Sequence, residues 1–136
     1  MVALVLDASV AISAALDEAS ADLARAILQR VAEAGALVPN LWHLEVGQAL
    51  LVAERQGRID TTQRQKAQAL LLDLPITVDA ETSTRAMRDT ATLAANQRLS
   101  LYDTAYLELS RRYELPLATF DANLHRAATA IGVAVL

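Results

Sequence analysis

Residues 2–9 read VALVLDAS, and this short stretch decides the class of fold. Five apolar residues in succession predict a strand that is buried on both faces, as the central strands of parallel sheets are. Asp7 follows the strand directly, and a helical pattern begins at about Ser9. A buried strand that passes through one polar residue into a helix is typical of the α/β class of folds.

The same alternation of strand and helix continues to the end of the chain. The predicted strands are residues 2–6, 36–38, 76–78, 117–120 and 133–135. The predicted helices run from about Ser9, over 21–34, 40–56, 60–72, 81–97 and 100–114, and from Asp121 onward. Asn40 is the predicted cap of the third of these helices. Helical crossovers between parallel strands predict a three-layer α/β/α sandwich with a mostly parallel central sheet, formed by residues 1–136 as one domain.

Composition excludes several classes of protein. The chain has no cysteine, so neither a thiol nucleophile nor a thiolate metal site is possible. Its formal net charge of −4 argues against a simple basic surface for nucleic acid. The apolar start of the chain has no basic residue before Arg25 and is interrupted by Asp7 and Asp17, unlike a signal peptide or a membrane span. We therefore expect a cytoplasmic protein that does not associate with membranes.

Three aspartates stand at positions where a parallel α/β sheet places its functional groups. Asp7 and Asp121 each follow a predicted strand, and Asp103 lies in the first turn of the helix that begins at about Ser100. Functional crevices of open α/β sheets lie beyond the carboxyl ends of the strands. Each aspartate has a simpler interpretation as part of a helix cap, and Ser100 with Asp103 fits the Ser-x-x-acid capping pattern. The two interpretations are compatible for a residue at a helix start.

Glu45 is harder to explain as a surface residue. The helix turns by about 100° per residue, which places Glu45 about 20° from Val52 and about 40° from Leu41 and Ala49, within the apolar arc. A carboxylate buried there needs a partner. A salt bridge to an arginine is the structural alternative to a functional role.

Convergence of these four carboxylates would require a counter-charge. Two carboxylates 4 Å apart repel by ~4 kcal/mol at an effective dielectric constant near 20. Protonation is one remedy, but near neutral pH a hard divalent cation such as Mg²⁺ or Mn²⁺ is the better one. His43 and His125 are not placed at zinc-ligand spacing, and no cysteine is present, so zinc is not expected. A site of carboxylates around a hydrated cation suits hydrolysis of phosphoesters.

Four segments, taken in order and spacing, resemble the PIN-domain nucleases and, among them, the VapC-type toxins of type II toxin–antitoxin pairs. These segments are VLDASVAI (5–12), VPNLWHLEVGQAL (38–50), LSLYDTAYLEL (99–109) and LATFDANL (117–124). The resemblance implies an acidic catalytic quartet of Asp7, Glu45, Asp103 and Asp121. Ser9 and Thr119 match the polar residues that support it. It further implies an Mg²⁺- or Mn²⁺-dependent endoribonuclease that acts on RNA, forms a homodimer and is silenced by a cognate antitoxin.

In the mechanism that we expect, Asp7, Asp103 and Asp121 hold the metal, and Glu45 orients the attacking water or takes its proton. The arginines around the helix of Asp103 (Arg85, Arg88, Arg98, Arg111 and Arg112) are interpreted as solvated helix faces rather than as RNA contacts. Trp42 and Tyr102 could stack on bases, but are interpreted as core residues.

Three other classes of protein compete with this hypothesis. A haloacid-dehalogenase-like phosphatase needs a second aspartate two residues after the first, where this chain has Ser9. That enzyme and a phospho-accepting receiver domain also need a lysine after a late strand, whereas Lys66 lies inside a predicted helix. A non-enzymatic α/β interaction module, with the acids serving only as caps, stays open as the alternative.

Overall fold

The computed structural model describes residues 2–136, and its centre is a four-stranded parallel sheet. The strands are β1 (Leu4–Leu6), β2 (Ala36–Val38), β3 (Ile76–Val78) and β4 (Leu117–Ala118). Their order across the sheet is β3-β2-β1-β4, and every neighbouring pair is parallel. Val5 of β1 is in register with Leu37 of β2 on one side and Leu117 of β4 on the other. After β1 the chain thus adds β2 and β3 on one side of that strand, and it later adds β4 on the other side.

Helices connect these strands and flank the sheet, which confirms the predicted three-layer α/β/α architecture. They are α1 (Ala8–Ala15), α2 (Ala21–Ala34), α3 (Trp42–Arg55), α4 (Thr61–Leu72), α5 (Thr82–Arg85), α6 (Ala91–Gln97), α7 (Leu101–Tyr113) and α8 (Ala122–Ala130). Helix α7 contacts both β1 and β4, and α1 contacts α2 and α3. Within residues 2–136, no helix combines the length and the apolar character that crossing a membrane requires.

The core follows the apolar pattern of the sequence. Leu4, Val5 and Leu6 are completely buried, as expected for a central strand covered on both faces. Trp42 of α3 and Tyr106 of α7 are the largest side chains packed into this core. Because these two helices bring their buried faces to the same core, the residues on their adjacent faces are held in fixed relative positions.

The ends of the sheet differ from the prediction. Strand β1 begins at Leu4 rather than Val2, and β4 ends at Ala118 rather than Phe120. The predicted strand over 133–135 is only an isolated bridge from Val135 to Leu117. At the end of β4, the amides of Phe120 and Asp121 bond to side-chain hydroxyls instead of to a neighbouring strand, which explains the early end.

The predicted helix over 81–97 is interrupted. A π-helical turn over Ala86–Thr90 separates α5 from α6, and Met87 and Arg88 have non-helical backbone angles. Four threonines (Thr82, Thr84, Thr90 and Thr92) make the segment over 81–97 a weak helix former. Helix α5 buries none of its residues, whereas α6 buries Leu93 and Ala94. The π-helical turn therefore rotates the chain about the helix axis, so that α6 turns Leu93 and Ala94 toward the core while α5 stays exposed.

One helix start has a side-chain cap, and another lacks the cap that was predicted for it. Asp60 and Gln63 form the reciprocal capping box that begins α4. Asn40 does not cap α3: the cap position is Leu41, and the amide of Asn40 donates to Thr82 Oγ1. The carbonyl of Pro39 accepts the amides of Leu41 and Trp42, so a tight turn starts this helix without a side-chain cap.

Candidate active site

A cleft of about 430 Å³ opens at the carboxyl edge of the sheet, and the four acids singled out in the sequence all line it. Asp7 follows β1, Asp121 lies just beyond β4, Asp103 is in the first turn of α7, and Glu45 is in the first turn of α3. Strands β1 and β4 are neighbours, with β2 on the other side of β1, so the cleft lies where the strand order reverses. This is the position at which open α/β sheets bind ligands.

Asp7 is held by hydroxyl groups from two directions. Ser9 Oγ donates to Asp7 Oδ2 at 2.5 Å, and Thr119 Oγ1 donates to the same oxygen at 2.8 Å. Asp7 occupies the cap position of α1, but its side chain accepts no amide of that helix. Burial raises the pKa of Asp7, the two hydroxyls oppose this, and the charge of Asp103 adds to the increase. Its carboxylate is therefore not explained by helix capping.

The same two hydroxyls fix the turn that carries Asp121. Thr119 Oγ1 accepts the amide of Asp121 at 3.1 Å, and Ser9 Oγ accepts the amide of Phe120 at 3.0 Å. Asp121 Oδ1 accepts the amide of Leu124 at 2.8 Å and so caps α8. Asp121 thus serves as a cap and also lines the cleft, so capping α8 does not exclude its predicted functional role.

The side chain of Asp103 does not form the cap that the Ser-x-x-acid pattern suggests. The hydroxyl of Ser100 accepts the amide of Asp103 at 3.1 Å and caps α7 by itself. The half-buried carboxylate of Asp103 lines the cleft. Burial raises the pKa of Asp103, repulsion by Asp121 raises it further, and the hydroxyl of Ser100 opposes the increase.

Glu45 pairs with a tyrosine rather than with an arginine. The hydroxyl of Tyr106 donates to Glu45 Oε1 at 2.5 Å, and within residues 2–136 no arginine forms a salt bridge with Glu45. Burial raises the pKa of Glu45, as do the charges of Asp7 and Asp103, while the hydrogen bond from Tyr106 opposes the increase. The salt-bridge alternative for this glutamate is therefore removed.

The donor set of the cleft fits a hydrated magnesium-like ion. All four acidic groups are carboxylates, and the charges of neighbouring acids raise the pKa values of three of them. Within residues 2–136, no three acidic or histidine side chains are close enough in their present positions to enclose an ion. Mg²⁺ needs no such enclosure, because it keeps several waters and is commonly bound through one or two carboxylates.

The raised pKa of Glu45 has a consequence for stability in the absence of metal. Below about pH 4.5 the group is protonated in both folded and unfolded chains, and as the pH rises through its raised folded-state value the folded chain loses stability. Glu45→Gln removes this loss, so we expect its melting temperature to exceed that of the wild type by a few degrees at pH 7.5 in EDTA. At pH 4 the two should melt together.

Differential scanning fluorimetry across pH 4–8 measures this difference. Glu33→Gln, an exposed change on α2, is the matched control and should follow the wild type at every pH. A melting temperature for Glu45→Gln at or below the wild-type value at pH 7.5 would contradict the electrostatic account of the cleft.

The four carboxylates of the cleft were predicted from the sequence, but a second group of acidic residues was not. Asp79 follows β3 directly and is buried, and its carboxylate bonds Arg112 Nη2 at 2.7 Å. Arg112 also bonds the buried Glu108 at 2.9 Å and the exposed Glu81 at 3.5 Å. We name Arg112, Asp79, Glu81 and Glu108 the Arg112 cluster. The position of Asp79 after a strand was a signal that could have revealed it.

Two interpretations of individual side chains are corrected by this arrangement. Arg112 is not on a solvated helix face, because only 13% of its side chain is exposed and three carboxylates surround it. Trp42 is a core residue as predicted, but Tyr102 is 68% exposed beside Asp103 and does not belong to the core. The buried face of α7 therefore does not include Tyr102.

Fold and site together define an α/β protein with a carboxylate-lined cleft at the strand-order reversal of a parallel sheet. The sequence matches the PIN domain family over residues 4–130, and the chain belongs to this family. Members of this family are typically nucleases and usually bind divalent metal ions.

A crystal structure of PAE2754 from Pyrobaculum aerophilum is similar to this fold, with a TM-score of 0.72 and 21% sequence identity. The match covers 98% of this chain and 83% of the other. No curated protein sequence matches the chain. The likeness to PAE2754 supports the fold, while the catalytic and metal-binding roles of the four acids stay predictions.

Proposed function

We propose that this protein is a metal-dependent endoribonuclease and the toxin component of a type II toxin–antitoxin pair. One observation carries the nuclease assignment: four carboxylates line a single cleft without a basic partner among residues 2–136, although this chain pairs its other buried acids with arginine. If these acids served only as helix caps, raised pKa values would give the protein no advantage. The pKa values of Asp7, Glu45 and Asp103 are nevertheless all raised. A site that binds a divalent cation and phosphate needs this unpaired negative charge.

The proposed cation ligands are drawn from Asp7, Asp103 and Asp121, one or two of which would bind the ion directly while its waters complete the coordination. When bound, Mg²⁺ or Mn²⁺ would lower the pKa of water in the cleft and offset the charge that develops on the scissile phosphate. Asp7 is restrained by Ser9 and Thr119, and Asp121 by the start of α8, so these two ligands are preorganised. Preorganised ligands avoid a cost of ordering when the ion and the substrate bind.

Glu45 is the proposed general base. Its pKa is raised by burial and by Asp7 and Asp103, which makes it a better proton acceptor than a solvated glutamate. It orients the attacking water and takes its proton as the water oxygen bonds to phosphorus. The bond from phosphorus to the leaving oxygen breaks in line with this attack, and solvent supplies the proton to that oxygen.

The preference for RNA, the antitoxin, the homodimer and the cytoplasmic location form a second layer of the proposal. They are supported by the resemblance of the four acidic segments to the VapC-type toxins and by membership of the PIN domain family. An antitoxin that silences such an enzyme would have to block the acidic cleft or remove its cation.

The test is cleavage of a defined, structured RNA by the purified protein with Mg²⁺, with Mn²⁺ and with EDTA. We expect endonucleolytic products with either metal and none with EDTA. In parallel, each metal should raise the melting temperature, since a ligand at 100 times its Kd stabilises the folded state by about 2.7 kcal/mol. NaCl at matched ionic strength controls for general charge screening.

The two measurements separate the parts of the proposal. Stabilisation by metal with no cleavage of RNA but cleavage of single-stranded DNA would retain the metal site and overturn the choice of substrate. Absence of both stabilisation and cleavage would favour the non-enzymatic interaction module.

A further inference from the structure

Tyr106 combines a completely buried ring with a hydroxyl that reaches the candidate active site. The side chain lies on α7 one turn after Asp103, and its relative exposure is 0%. The ring packs among core residues that include Leu50 of α3 and Leu107 of α7. A phenylalanine would fill the same space, so core packing alone does not account for the hydroxyl.

The hydroxyl is committed to one carboxylate oxygen. It donates to Glu45 Oε1 at 2.5 Å, and Glu45 Oε2 has no hydrogen-bond partner in the described part of the chain. Burial raises the pKa of Tyr106 far above its ordinary value, and the hydrogen bond to Glu45 raises it further, so the phenol stays protonated and remains a donor. The carboxylate thus has one oxygen anchored by the core and one oxygen free.

We propose that Tyr106 is a positioning residue that anchors Glu45 through Oε1 and leaves Oε2 to act on the attacking water. This inference rests on the proposed nuclease function. Tyr106 acts through Glu45 and does not itself touch the substrate.

The same hydrogen bond links two helices that carry active-site acids. Glu45 lies in the first turn of α3, and Asp103 and Tyr106 lie three residues apart on α7. Residues three apart on a helix share one face and move together. Anchoring Glu45 to Tyr106 therefore also fixes the separation between Glu45, the proposed general base, and Asp103, a proposed cation ligand.

Tyr106→Phe removes the hydroxyl and keeps the ring. A hydrogen bond to a charged group contributes enough that its loss should lower kcat about 10- to 100-fold, and KM for RNA should stay within about threefold of the wild-type value. In the Glu45→Gln background the same change should have no further effect on kcat, because the group that Tyr106 positions has already lost its function. Tyr113→Phe, a half-exposed tyrosine on the same helix, is the matched control.

A crystal structure of Tyr106→Phe supplies a measurement that does not depend on activity. We expect the Glu45 carboxylate to change conformer or to occupy more than one, while Asp103 stays in place. An unchanged Glu45 conformer, or additive effects of the two substitutions on kcat, would overturn the inference even if the wild type cleaves RNA. If the wild type cleaves no RNA, the nuclease proposal fails, and the conformer of Glu45 still decides whether Tyr106 anchors it.

If Tyr106→Phe does not fold, the wild-type protein provides the test. The Tyr106 hydroxyl proton should give a downfield NMR resonance that exchanges slowly with solvent and shifts in Glu45→Gln. A resonance that is insensitive to Glu45→Gln would overturn the inference.

Discussion

Asp103→Asn is expected to lower metal-dependent RNA cleavage by about 10²–10³-fold while the fold is retained. The substitution removes one negative charge from the proposed cation site and keeps the shape of the side chain. A metal ion contributes several kcal/mol to the stabilisation of a phosphoryl transition state, and each 1.36 kcal/mol corresponds to a tenfold change in rate. Asp103 is the best ligand to test, because Ser100 and not Asp103 caps α7, so the helix start should survive the change.

Single-turnover cleavage rates over a range of Mn²⁺ concentrations measure this effect. Asp73→Asn is the matched control, since Asp73 is an exposed aspartate at the end of α4, away from the cleft. The loss should shrink at high Mn²⁺ if Asp103 binds the cation. A variant that keeps full activity at every Mn²⁺ concentration would remove Asp103 from the active site.

The position of the candidate site could be predicted because strand ends and helix starts are visible in the sequence. VALVL and LATF mark two strands, and parallel strands bring Asp7 and the residues after β4 to one edge. Glu45 was detectable because a carboxylate in an apolar arc conflicts with the local pattern. These signals depend on a few neighbouring residues, which is why they survive in a single sequence.

Partnerships between distant residues could not be predicted in this way. The bond from Tyr106 to Glu45 spans 61 positions and that from Arg112 to Asp79 spans 33. Tyr106 lies in the core, but nothing near it in the sequence indicates that its hydroxyl donates to Glu45. The interruption of the helix over 81–97 was not predicted either. The rotation that turns Leu93 and Ala94 of α6 toward the core is set by the rest of the core and not by the local sequence.

The two acidic groupings of this protein show what the pairing of a carboxylate reveals. In the Arg112 cluster, burial alone would raise the pKa of Asp79, but Arg112, with the amide of Glu81 and the hydroxyl of Thr82, holds it below its ordinary value. In the cleft, no arginine of residues 2–136 does this for Asp7 or Glu45, and their pKa values are raised. The first grouping stabilises the fold, and the second leaves charge available to a ligand.

Arg112→Met is therefore expected to destabilise the protein by about 3–5 kcal/mol, the usual consequence of removing one partner from a buried ion pair. Asp79 and Glu108 would remain buried without their counter-charge. Urea denaturation measures the loss, and Arg111→Met, an exposed change at the neighbouring position, should alter stability by less than about 0.5 kcal/mol. Adding Asp79→Asn and Glu108→Gln to Arg112→Met should restore part of the lost stability.

The pH dependence identifies the cause of this loss. In the wild type, the contribution of Asp79 is present above its unfolded-state pKa of about 3.8 and is lost as the pH falls through its lower folded-state value. In Arg112→Met, the buried carboxylate of Asp79 lacks its counter-charge, so protonating it relieves the penalty. The gap in stability between the two proteins should thus narrow as the pH falls from 7 toward 4. A gap that is constant over this range would mean that Arg112 stabilises α7 through packing of its side chain and not through its charge.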